Sequence, residues 1–227
     1  MNVILFGGTG MVGGGVLVEC LEDSRVSSVL SVGRRPTGRS HAKLREIVRD
    51  DLFGLADARS ELTGLDACFF CIGVSAVGMT EAAYHRVTYD LTVTVADVLS
   101  AMNPSVRICF VSGQGADSTG EGRSMWARVK GKTENRLLEG QNTYVFRPGF
   151  ILPLKGVRSR TPLYRLLYGA TRPFYSLIRR AAPRHVTTSE NIGRAMIAVA
   201  EGGFEKRILE NPDIDRVARS GPARPTA

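Results

Sequence analysis

Residues 3–13 have the sequence Val-Ile-Leu-Phe-Gly-Gly-Thr-Gly-Met-Val-Gly, and this stretch decides the fold of the chain. The apolar run at its start predicts a buried strand. Apolar residues at helical spacing resume after the glycines and predict a helix. Gly7, Gly10 and Gly13 lie between the two elements at three-residue spacing. The sequence therefore predicts a strand, a tight glycine turn and the start of a helix.

This glycine turn suits the binding of a dinucleotide. Free backbone N–H groups and the positive end of the helix dipole point at the position that a phosphate would take. Gly7 permits the turn, Gly10 lets a pyrophosphate approach the backbone, and Gly13 lets the helix pack closely on the strand. The alternative is a turn with a structural role alone, but the position after the first strand favours dinucleotide binding. The predicted contacts in the turn are Gly7, Thr9, Gly10, Met11 and Val12.

Strands and helices alternate along the rest of the chain. Apolar strands that alternate with helices are typical of a parallel sheet with both faces covered. We therefore predict an α/β fold, a doubly wound parallel sheet of the Rossmann type. Thr187 and Glu190 have the spacing of a capping box at the start of the last predicted helix. Strands are predicted near 2–6, 26–32, 45–49, 66–72, 106–111 and 143–147, and helices near 11–22, 80–101, 124–139 and 188–201.

Length and composition indicate one globular domain. The chain has 227 residues, of which 43% are hydrophobic, and this is enough for a full core. We predict a single domain over 1–215, in which 153–185 forms a small C-terminal helical cap, followed by a disordered tail over 216–227. Residues 162–182 combine apolar helical faces with arginines, a pattern that also suits peripheral contact with a membrane. Because each helix is short with one apolar face, a cap over the cleft is favoured.

The charge and the termini bear on partners and location. The net charge is +8, but no helix-turn-helix, zinc finger or stacking-aromatic motif accompanies it, so we expect no nucleic-acid partner. No stretch approaches the roughly 20 apolar residues of a membrane span. The chain enters its first strand with no basic segment before it, which predicts a cytoplasmic protein without a signal peptide. We expect a monomer or a homodimer.

Two of the four cysteines, Cys68 and Cys71, have the spacing of a redox or zinc motif. They lie in the run Ala-Cys-Phe-Phe-Cys-Ile, which predicts a buried strand. Residues three apart on a strand point to opposite faces, so the two thiols diverge. No second pair of cysteines and no histidine pair accompanies them. We therefore interpret them as core residues and predict no metal site.

Two arginines end the second predicted strand. An NAD-binding fold places an acidic residue there, about 20 residues beyond the glycine turn, on the adenine ribose. This chain has Arg34 and Arg35 instead. A carboxylate would repel a 2′-phosphate, whereas a guanidinium can bind it through two charge-assisted hydrogen bonds. The sequence therefore predicts NADP(H) as the cofactor, with a pair of surface arginines as the alternative.

Other predicted cofactor contacts follow the third and fourth strands. Asp51 and Leu52 come after the third strand, where a carboxylate can accept a hydrogen bond from the adenine amino group. A turn or helix cap is the alternative role for this aspartate. The fourth strand ends at Cys71, Ile72 and Gly73, in the crevice outside the carboxyl ends of the strands, where such sheets bind ligands.

Five motifs in order carry a resemblance to a known family. They are the glycine turn, Gly-Arg-Arg-Pro at 33–36, Val-Ser-Gly-Gln-Gly-Ala-Asp at 111–117, Val-Lys-Gly-Lys-Thr-Glu at 129–134 and Val-Phe-Arg-Pro-Gly at 145–149. With these motifs the chain resembles the atypical short-chain dehydrogenase/reductase superfamily from residue 1 to about 212. It is most similar to the oxidoreductase-like subgroup named for the human Tat-interacting protein.

The resemblance implies roles for several residues. Ser112 matches the serine that polarises the substrate carbonyl, and Lys130 matches the lysine that holds the nicotinamide ribose. We predict both as catalytic residues and as cofactor contacts. Residue 126, where the family has its proton-donating tyrosine, is Trp126, and an indole N–H cannot act as an acid in the physiological range. Pro148, Gly149 and Phe150 match the segment that passes the nicotinamide.

Two functions are open on this sequence. The first is an NADPH-dependent oxidoreductase acting on a carbonyl or quinone-like small molecule, with a proton from water or another residue. The second is a catalytically impaired NADPH-binding regulatory or scaffold protein, which Trp126 favours. The retained Ser112 and Lys130 favour the oxidoreductase. Substitute proton donors from elsewhere in the fold are Tyr84, His85, Tyr89 and His185.

Overall fold

The computed structural model describes residues 1–152 and 184–220. Its core is a seven-stranded sheet in the order β3-β2-β1-β4-β5-β6-β9, and every neighbouring pair of strands in it is parallel. Two short strands form a separate parallel pair, β7 with β8. The strands are β1 (Asn2–Phe6), β2 (Ser28–Gly33), β3 (Leu44–Val48), β4 (Ala67–Phe70), β5 (Arg107–Val111), β6 (Thr143–Arg147), β7 (Phe150–Leu152), β8 (Val186–Thr188) and β9 (Ile208–Glu210).

Helices cover both faces of the sheet, so the predicted doubly wound α/β fold is confirmed. Buried residues of α1, α5 and α6 form a core cluster on one face, and those of the 3₁₀ segment, α3 and α4 form a cluster on the other. The helices are α1 (Met11–Glu22), α2 (Glu81–His85), α3 (Leu91–Met102), α4 (Met125–Leu138), α5 (Ser189–Gly202) and α6 (Asn211–Ser220), with a 3₁₀ segment at Phe53–Glu61.

The strand order creates the crevice in which this fold binds ligands. From β1 the chain moves outward to β2 and β3 on one side, then returns to β4 and continues through β5 and β6 on the other. The crossovers after β1 and β4 therefore leave in opposite directions and open a gap at the carboxyl ends of these two strands. The glycine turn after β1 and residues 71–73 after β4 border this gap.

The helical region predicted over 80–101 consists of three pieces. Thr80 caps α2, since its Oγ1 accepts a hydrogen bond from the Ala83 N–H. A single π-helical turn, Arg86–Asp90, joins α2 to α3. Such turns insert an extra residue into a helix and are frequent at functional sites. Here the turn carries Val87, which lines the crevice together with Leu91.

The predicted end of the chain needs a correction. The disordered tail was expected from Arg216, but residues up to Ser220 belong to α6. Most residues of this helix are polar, but Ile214 and Val217 are fully buried against the core. One side of the helix is therefore apolar. The rest of the predicted tail, 221–227, and residues 153–183 of the predicted cap over 153–185, with its membrane alternative over 162–182, lie outside the described residues.

Candidate cofactor site

Glycine is required at two positions of the turn after β1 because other backbone lies too close. Gly7 has a φ of +86°, and a Cβ on it would lie 2.6 Å from the carbonyl oxygen of Cys71. A Cβ on Gly13 would lie 2.2 Å from the carbonyl oxygen of Gly7. The first glycine thus lets β1 pass against the end of β4, and the second lets α1 pack on the turn. Gly10 closes the turn, since its N–H donates to the Gly7 carbonyl oxygen at 2.8 Å.

A cavity of about 680 Å³ opens beside this turn, at the carboxyl ends of β1, β2 and β4. Its size falls in the range of small-molecule and cofactor sites. Its lining combines backbone from the glycine turn, charged side chains near β2 and β3, and apolar side chains from the helices. The lining residues are Gly7, Thr9, Gly10, Gly33, Arg34, Arg35, Asp50, Asp51, Leu52, Phe53, Cys71, Ile72, Gly73, Val74, Met79, Val87 and Leu91.

The cavity has a cationic and an anionic side. Arg34 and Arg35 are exposed at the end of β2, and within the described ranges neither guanidinium has an ion-pair partner. Asp50 and Asp51 follow β3, and the Asp51 Oδ1 accepts a hydrogen bond from the Phe53 N–H at 2.9 Å. Leu52 is buried between these charges and the core. The site therefore offers cations for a phosphate, carboxylates for a hydrogen-bond donor, and an apolar floor.

The predicted cofactor residues fall into two groups. Ten line this cavity: Gly7, Thr9, Gly10, Arg34, Arg35, Asp51, Leu52, Cys71, Ile72 and Gly73. Seven lie outside its lining: Met11 and Val12 in the first turn of α1, Ser112 and Lys130 beside β5, and Pro148, Gly149 and Phe150 after β6. The assigned contacts of all of them stay predictions.

Several lining residues were not predicted from the sequence. Phe53 directly follows the predicted pair Asp51 and Leu52, and its ring lies 5.0 Å from the Arg86 guanidinium carbon. Val87 and Leu91 lie in the predicted middle helix, where an apolar residue reads equally well as core. They line the crevice because they lie in or directly after the π-helical turn. The sequence does not predict this turn.

The hydroxyl of Ser112 points into the protein interior. Ser112 is 4% exposed, and its Oγ donates a hydrogen bond to Glu134. Glu134 is fully buried and paired with Arg147, whose Nε lies 3.0 Å from the carboxylate. A carboxylate paired with arginine accepts hydrogen bonds only, so the serine must be the donor. Polarising a carbonyl would require this hydroxyl to leave Glu134.

Lys130 holds the loop after β5 from the side of α4. Its Nζ donates to the carbonyl oxygen of Ser112 at 2.7 Å. Burial lowers the pKa of Lys130 to about 8, and the nearby charge of Glu134 opposes this shift. The ammonium has further hydrogen atoms beyond the one given to Ser112, so it retains donors for the hydroxyls of a ribose.

Trp126 lies one helical turn before Lys130. Its side chain is 36% exposed, and its Cη2 would lie 3.5 Å from a Cβ on Gly115, in the turn after β5. Residues four apart share one face of a helix, so the indole and the ammonium face the same end of the sheet. The position at which the resemblance expects a tyrosine is therefore occupied by a partly exposed indole ring.

Three backbone segments converge next to these residues. The Gln114 N–H donates to the Pro148 carbonyl oxygen at 2.9 Å, and the Phe150 N–H donates to the His185 carbonyl oxygen at 2.6 Å. Gly149 is required here, because a Cβ on it would lie 2.3 Å from that same His185 oxygen. The His185 ring contacts Gln114 as well, with 3.1 Å between Nδ1 and Oε1. The predicted nicotinamide segment thus lies against the loop that Lys130 holds.

The four substitute proton donors are not equally placed. Tyr84 is buried, and burial raises its pKa, so it is a weaker proton donor than an exposed tyrosine. His85 stacks on the ring of Tyr89 and faces Asp90 at 3.2 Å, on the helical side of the crevice. Of the four, His185 is the one that lies beside the loop after β5.

The cysteines and a second depression are weaker candidates for a functional site. All four cysteines are buried free thiols, and burial raises the pKa of each. A second depression, of about 410 Å³, lies between α1, α5 and α6, and its walls are charged side chains that include the pair Glu19 and Arg194. In the described part of the chain, no three His, Cys, Asp or Glu side chains are grouped to hold a metal ion.

Within residues 1–152 and 184–220, no helix has both the length and the apolar character that a membrane span needs.

Solved structures share this architecture. The Bordetella bronchiseptica enzyme WbmF in complex with NAD⁺ matches 100% of this chain and 79% of its own, with a TM-score of 0.66 and 16% identity. The UDP-N-acetylglucosamine 4-epimerase of Methanobrevibacter ruminantium matches 96% of this chain and 80% of its own, with a TM-score of 0.66 and 17% identity. A short-chain dehydrogenase/reductase superfamily protein of Agrobacterium tumefaciens with bound NAD has a TM-score of 0.62 and 14% identity, over 88% of this chain and 73% of its own. The fold is the Rossmann-like α/β fold of this superfamily.

Proteins of related sequence show the family of the chain. No protein-family model matches the chain. The mitochondrial protein fmp52 of Aspergillus clavatus is 33% identical over 162 residues, which are 66% of this chain and 66% of the relative. The mitochondrial protein FMP52 of Eremothecium gossypii is 30% identical over 157 residues, or 67% of each chain. The match thus spans about two thirds of the length of these relatives. The chain belongs to the FMP52 family.

These relatives correct one prediction and leave another open. The predicted cytoplasmic location is wrong on this comparison, because the curated relatives are named as mitochondrial proteins. The lack of a basic segment before β1 does not determine the location of the protein. Closeness to the Tat-interacting-protein subgroup stays a prediction.

Proposed function

We propose that this chain is an NADPH-dependent oxidoreductase that reduces a carbonyl or quinone-like small molecule. The carrying observation is the cavity at the carboxyl ends of β1, β2 and β4, which joins the glycine turn to Arg34 and Arg35. Structural neighbours with the same fold hold NAD⁺ or NAD, which supports a nicotinamide dinucleotide here. The choice of NADPH over NADH rests on the two arginines alone.

The residues present fit such a cofactor. Gly10 leaves the backbone of the turn open toward the cavity, and the start of α1 adds a positive dipole end for a pyrophosphate. Arg34 and Arg35 would take the 2′-phosphate, and Asp51 the adenine amino group. Lys130, on the far side of β4, would hold the nicotinamide ribose. Bound NADPH supplies a hydride to the carbonyl carbon.

The reduction also needs a proton on the acceptor oxygen, and here the chain departs from its superfamily. Trp126 has no titratable proton in the physiological range, and the Ser112 hydroxyl donates its hydrogen bond to Glu134. Lys130 has a pKa of about 8, so near neutral pH it is an ammonium that stabilises charge on a nearby oxygen. A water molecule would then deliver the proton, or His185 in its protonated form, since the Nδ1–H of the neutral ring is engaged with Gln114.

Calorimetric titration with NADPH and with NADH tests the cofactor assignment. Hydrogen bonds to charged groups contribute about 1.5–3 kcal/mol each, so Arg34→Ala combined with Arg35→Ala should weaken NADPH by at least about tenfold. NADH affinity should change far less. Arg39→Ala is the matched control, because Arg39 is exposed in the same loop and lies outside the cavity lining. Equal losses for the two cofactors would refute the 2′-phosphate role.

The second candidate function is an NADPH-binding regulatory or scaffold protein. The observation that favours it is the hydroxyl of Ser112, which is turned into the interior while Trp126 replaces the acid. Binding of NADPH to the folded state alone would stabilise one conformation for a partner. Tight NADPH binding without multiple turnovers on any of a panel of ketones, aldehydes and quinones would decide for this function. Catalytic NADPH oxidation by one of them would decide against it.

A further inference from the structure

The chain contains a single tryptophan, and it lies beside the turn after β5, next to the loop that Lys130 holds. Trp126 is the second residue of α4, whose N-cap is Ser124. Most large apolar side chains in the described residues are buried, and those exposed are Val48, Val77 and Trp126. An exposed indole beside the loop that Lys130 holds is a candidate contact for a ligand.

The face of α4 that carries the indole looks onto the end of β5. Lys130 lies one turn further along this face, and its Nζ reaches the Ser112 carbonyl oxygen at 2.7 Å. Arg128 points to the other side, where its Nη2 contacts Glu81 of α2 at 2.7 Å. The side of α4 that faces the end of β5 therefore presents an aromatic ring followed by an ammonium.

The indole lies in front of the turn after β5. Its Cη2 is 3.5 Å from the position that a Cβ on Gly115 would take. Gly115 has a φ of +88°, so this turn keeps a shape that suits glycine. The ring thus lies next to this turn, and Trp126 as a residue is 36% exposed.

Polar groups lie at the same edge of the sheet. Gln114 precedes this turn, and its amide oxygen lies 3.1 Å from the Nδ1 of His185. Because an amide oxygen only accepts, the His185 Nδ1–H is the donor in this contact, and the amide N–H₂ group of Gln114 is left to donate to a ligand oxygen. An aromatic ring with nearby donors fits a flat molecule that carries carbonyl oxygens at its rim.

We propose that Trp126 forms the aromatic wall of the acceptor site and selects planar aromatic carbonyl compounds, quinones above all. The inference rests on the proposed function, because it gives the substrate class of that same site. It also explains why the position of the family tyrosine holds a larger aromatic residue. The ring contributes area and stacking for the acceptor where the tyrosine would contribute a proton.

The single tryptophan makes the proposal directly measurable by fluorescence. The protein saturated with NADP⁺, which cannot deliver a hydride, is titrated with 2,3-dimethyl-1,4-naphthoquinone. Cyclohexane-1,4-dione, with two carbonyls but no aromatic ring, is the matched ligand, and free N-acetyltryptophanamide corrects for collisional quenching. We expect saturable static quenching of Trp126 by the quinone and none by the dione. Quenching that only follows the collisional line of the free indole would overturn the proposal.

Two substitutions separate stacking from simple bulk. Aromatic stacking adds about 0.5–1.5 kcal/mol beyond area burial, which corresponds to a change of about two- to tenfold in affinity. Calorimetry on the NADP⁺ complexes should show quinone affinity reduced by about that factor in Trp126→Leu and largely kept in Trp126→Phe. The affinity for NADP⁺ itself should stay the same in both variants. Equal quinone affinity of Trp126→Leu and the unchanged protein would refute the role.

The outcomes also distinguish this inference from the proposed function. Failure of the protein to bind NADP⁺ overturns the proposed function, and the quinone titration of the cofactor-free protein then judges Trp126 alone. If NADP⁺ by itself produces the full static quenching and the quinone adds nothing, the indole covers the nicotinamide and the acceptor proposal is wrong. Binding of NADP⁺ followed by quinone quenching supports both.

Discussion

In the proposed reduction, the supply of a proton would depend on two residues. Trp126 would stand where the superfamily has its tyrosine, and Glu134 accepts the hydrogen bond of the Ser112 hydroxyl. Trp126→Tyr restores a phenol one helical turn before Lys130, whose ammonium can lower the pKa of that phenol. General acid catalysis typically contributes 10²–10⁴-fold, so we expect kcat for NADPH oxidation with an aromatic ketone to rise at least about tenfold.

The same measurement on Trp126→Phe is the control for this gain. Phenylalanine has the ring of tyrosine without its hydroxyl, so it should give no increase. An unchanged or lower kcat in Trp126→Tyr would mean that the side chain at position 126 does not reach the reacting oxygen.

Lys130 carries a pH dependence of stability. Burial lowers its pKa from 10.5 to about 8, so between these values the unfolded chain holds a proton that the folded chain has released. The unfolded state binds more protons in this window, and the free energy of unfolding therefore rises with pH from about 8 to 10.5. Below pH 8 the buried ammonium lowers stability in full.

Lys130→Met should remove this cost. Methionine has a similar length and no charge, but it loses the hydrogen bond to the Ser112 carbonyl oxygen, which offsets part of the gain. We expect the variant to be more stable by about 1–2 kcal/mol at pH 7, with the advantage vanishing toward pH 10.5. Urea unfolding at a series of pH values measures it. Lys132→Met, at an exposed position of α4, should show no such trend, and parallel curves for the two variants would contradict the assignment.

At the residue scale, the sequence predicts one half of the site better than the other. Gly7, Arg34 and Leu52 lie on loops next to strand ends, so local sequence and strand order suffice to bring them together. The orientation of Ser112 depends on Glu134, which is 22 residues away along the chain. Spacing from a family motif places this serine at the strand end, but only the packing of α4 shows where its hydroxyl points.

At the scale of the elements, α1 and α5 cross at close range. A Cβ on Gly15 would lie 2.4 Å from the Cβ of Ser189, and a Cβ on Gly193 would lie 2.9 Å from the Cβ of Glu19. Glycines on both helices therefore let the two backbones approach closely over the sheet.

Gly15→Ala should separate these helices. Overpacking in a close contact costs about 1–3 kcal/mol, and we expect a loss of that size in the free energy of unfolding. Gly33→Ala is the control, because the nearest atom to its new Cβ would be 3.7 Å away. Denaturant midpoints of the two variants provide the comparison. Equal midpoints would show that α5 shifts without cost.

The long elements were predictable and the short ones were not. Runs such as Asn2–Phe6 and Arg107–Val111 have enough apolar residues to mark a strand. Strands β7, β8 and β9 have three residues each, too few to form a pattern. The cap of α5 is Thr188 rather than the predicted Thr187, because the Thr187 hydroxyl donates to the buried Asp215 instead.

At the scale of the whole molecule, the cofactor cavity depends on most of the sheet. The ends of β1, β2, β3 and β4 and the π-helical turn all supply its lining. A ligand that binds only this assembled state stabilises the fold by about 2.7 kcal/mol at one hundred times its dissociation constant. Binding of the proposed cofactor would therefore be linked to the global stability of this protein.

The four buried thiols have a further consequence for the study of its unfolding. Cys68 lies in the core on one face of the sheet, and Cys20, Cys71 and Cys109 lie in the core on the other. Since only an exposed thiolate reacts with iodoacetamide, pulsed alkylation followed by mass spectrometry times the opening of each face separately. We expect all four to react together, because both faces share the same strands. Earlier labelling of Cys68 alone would reveal a molecule that opens one face at a time.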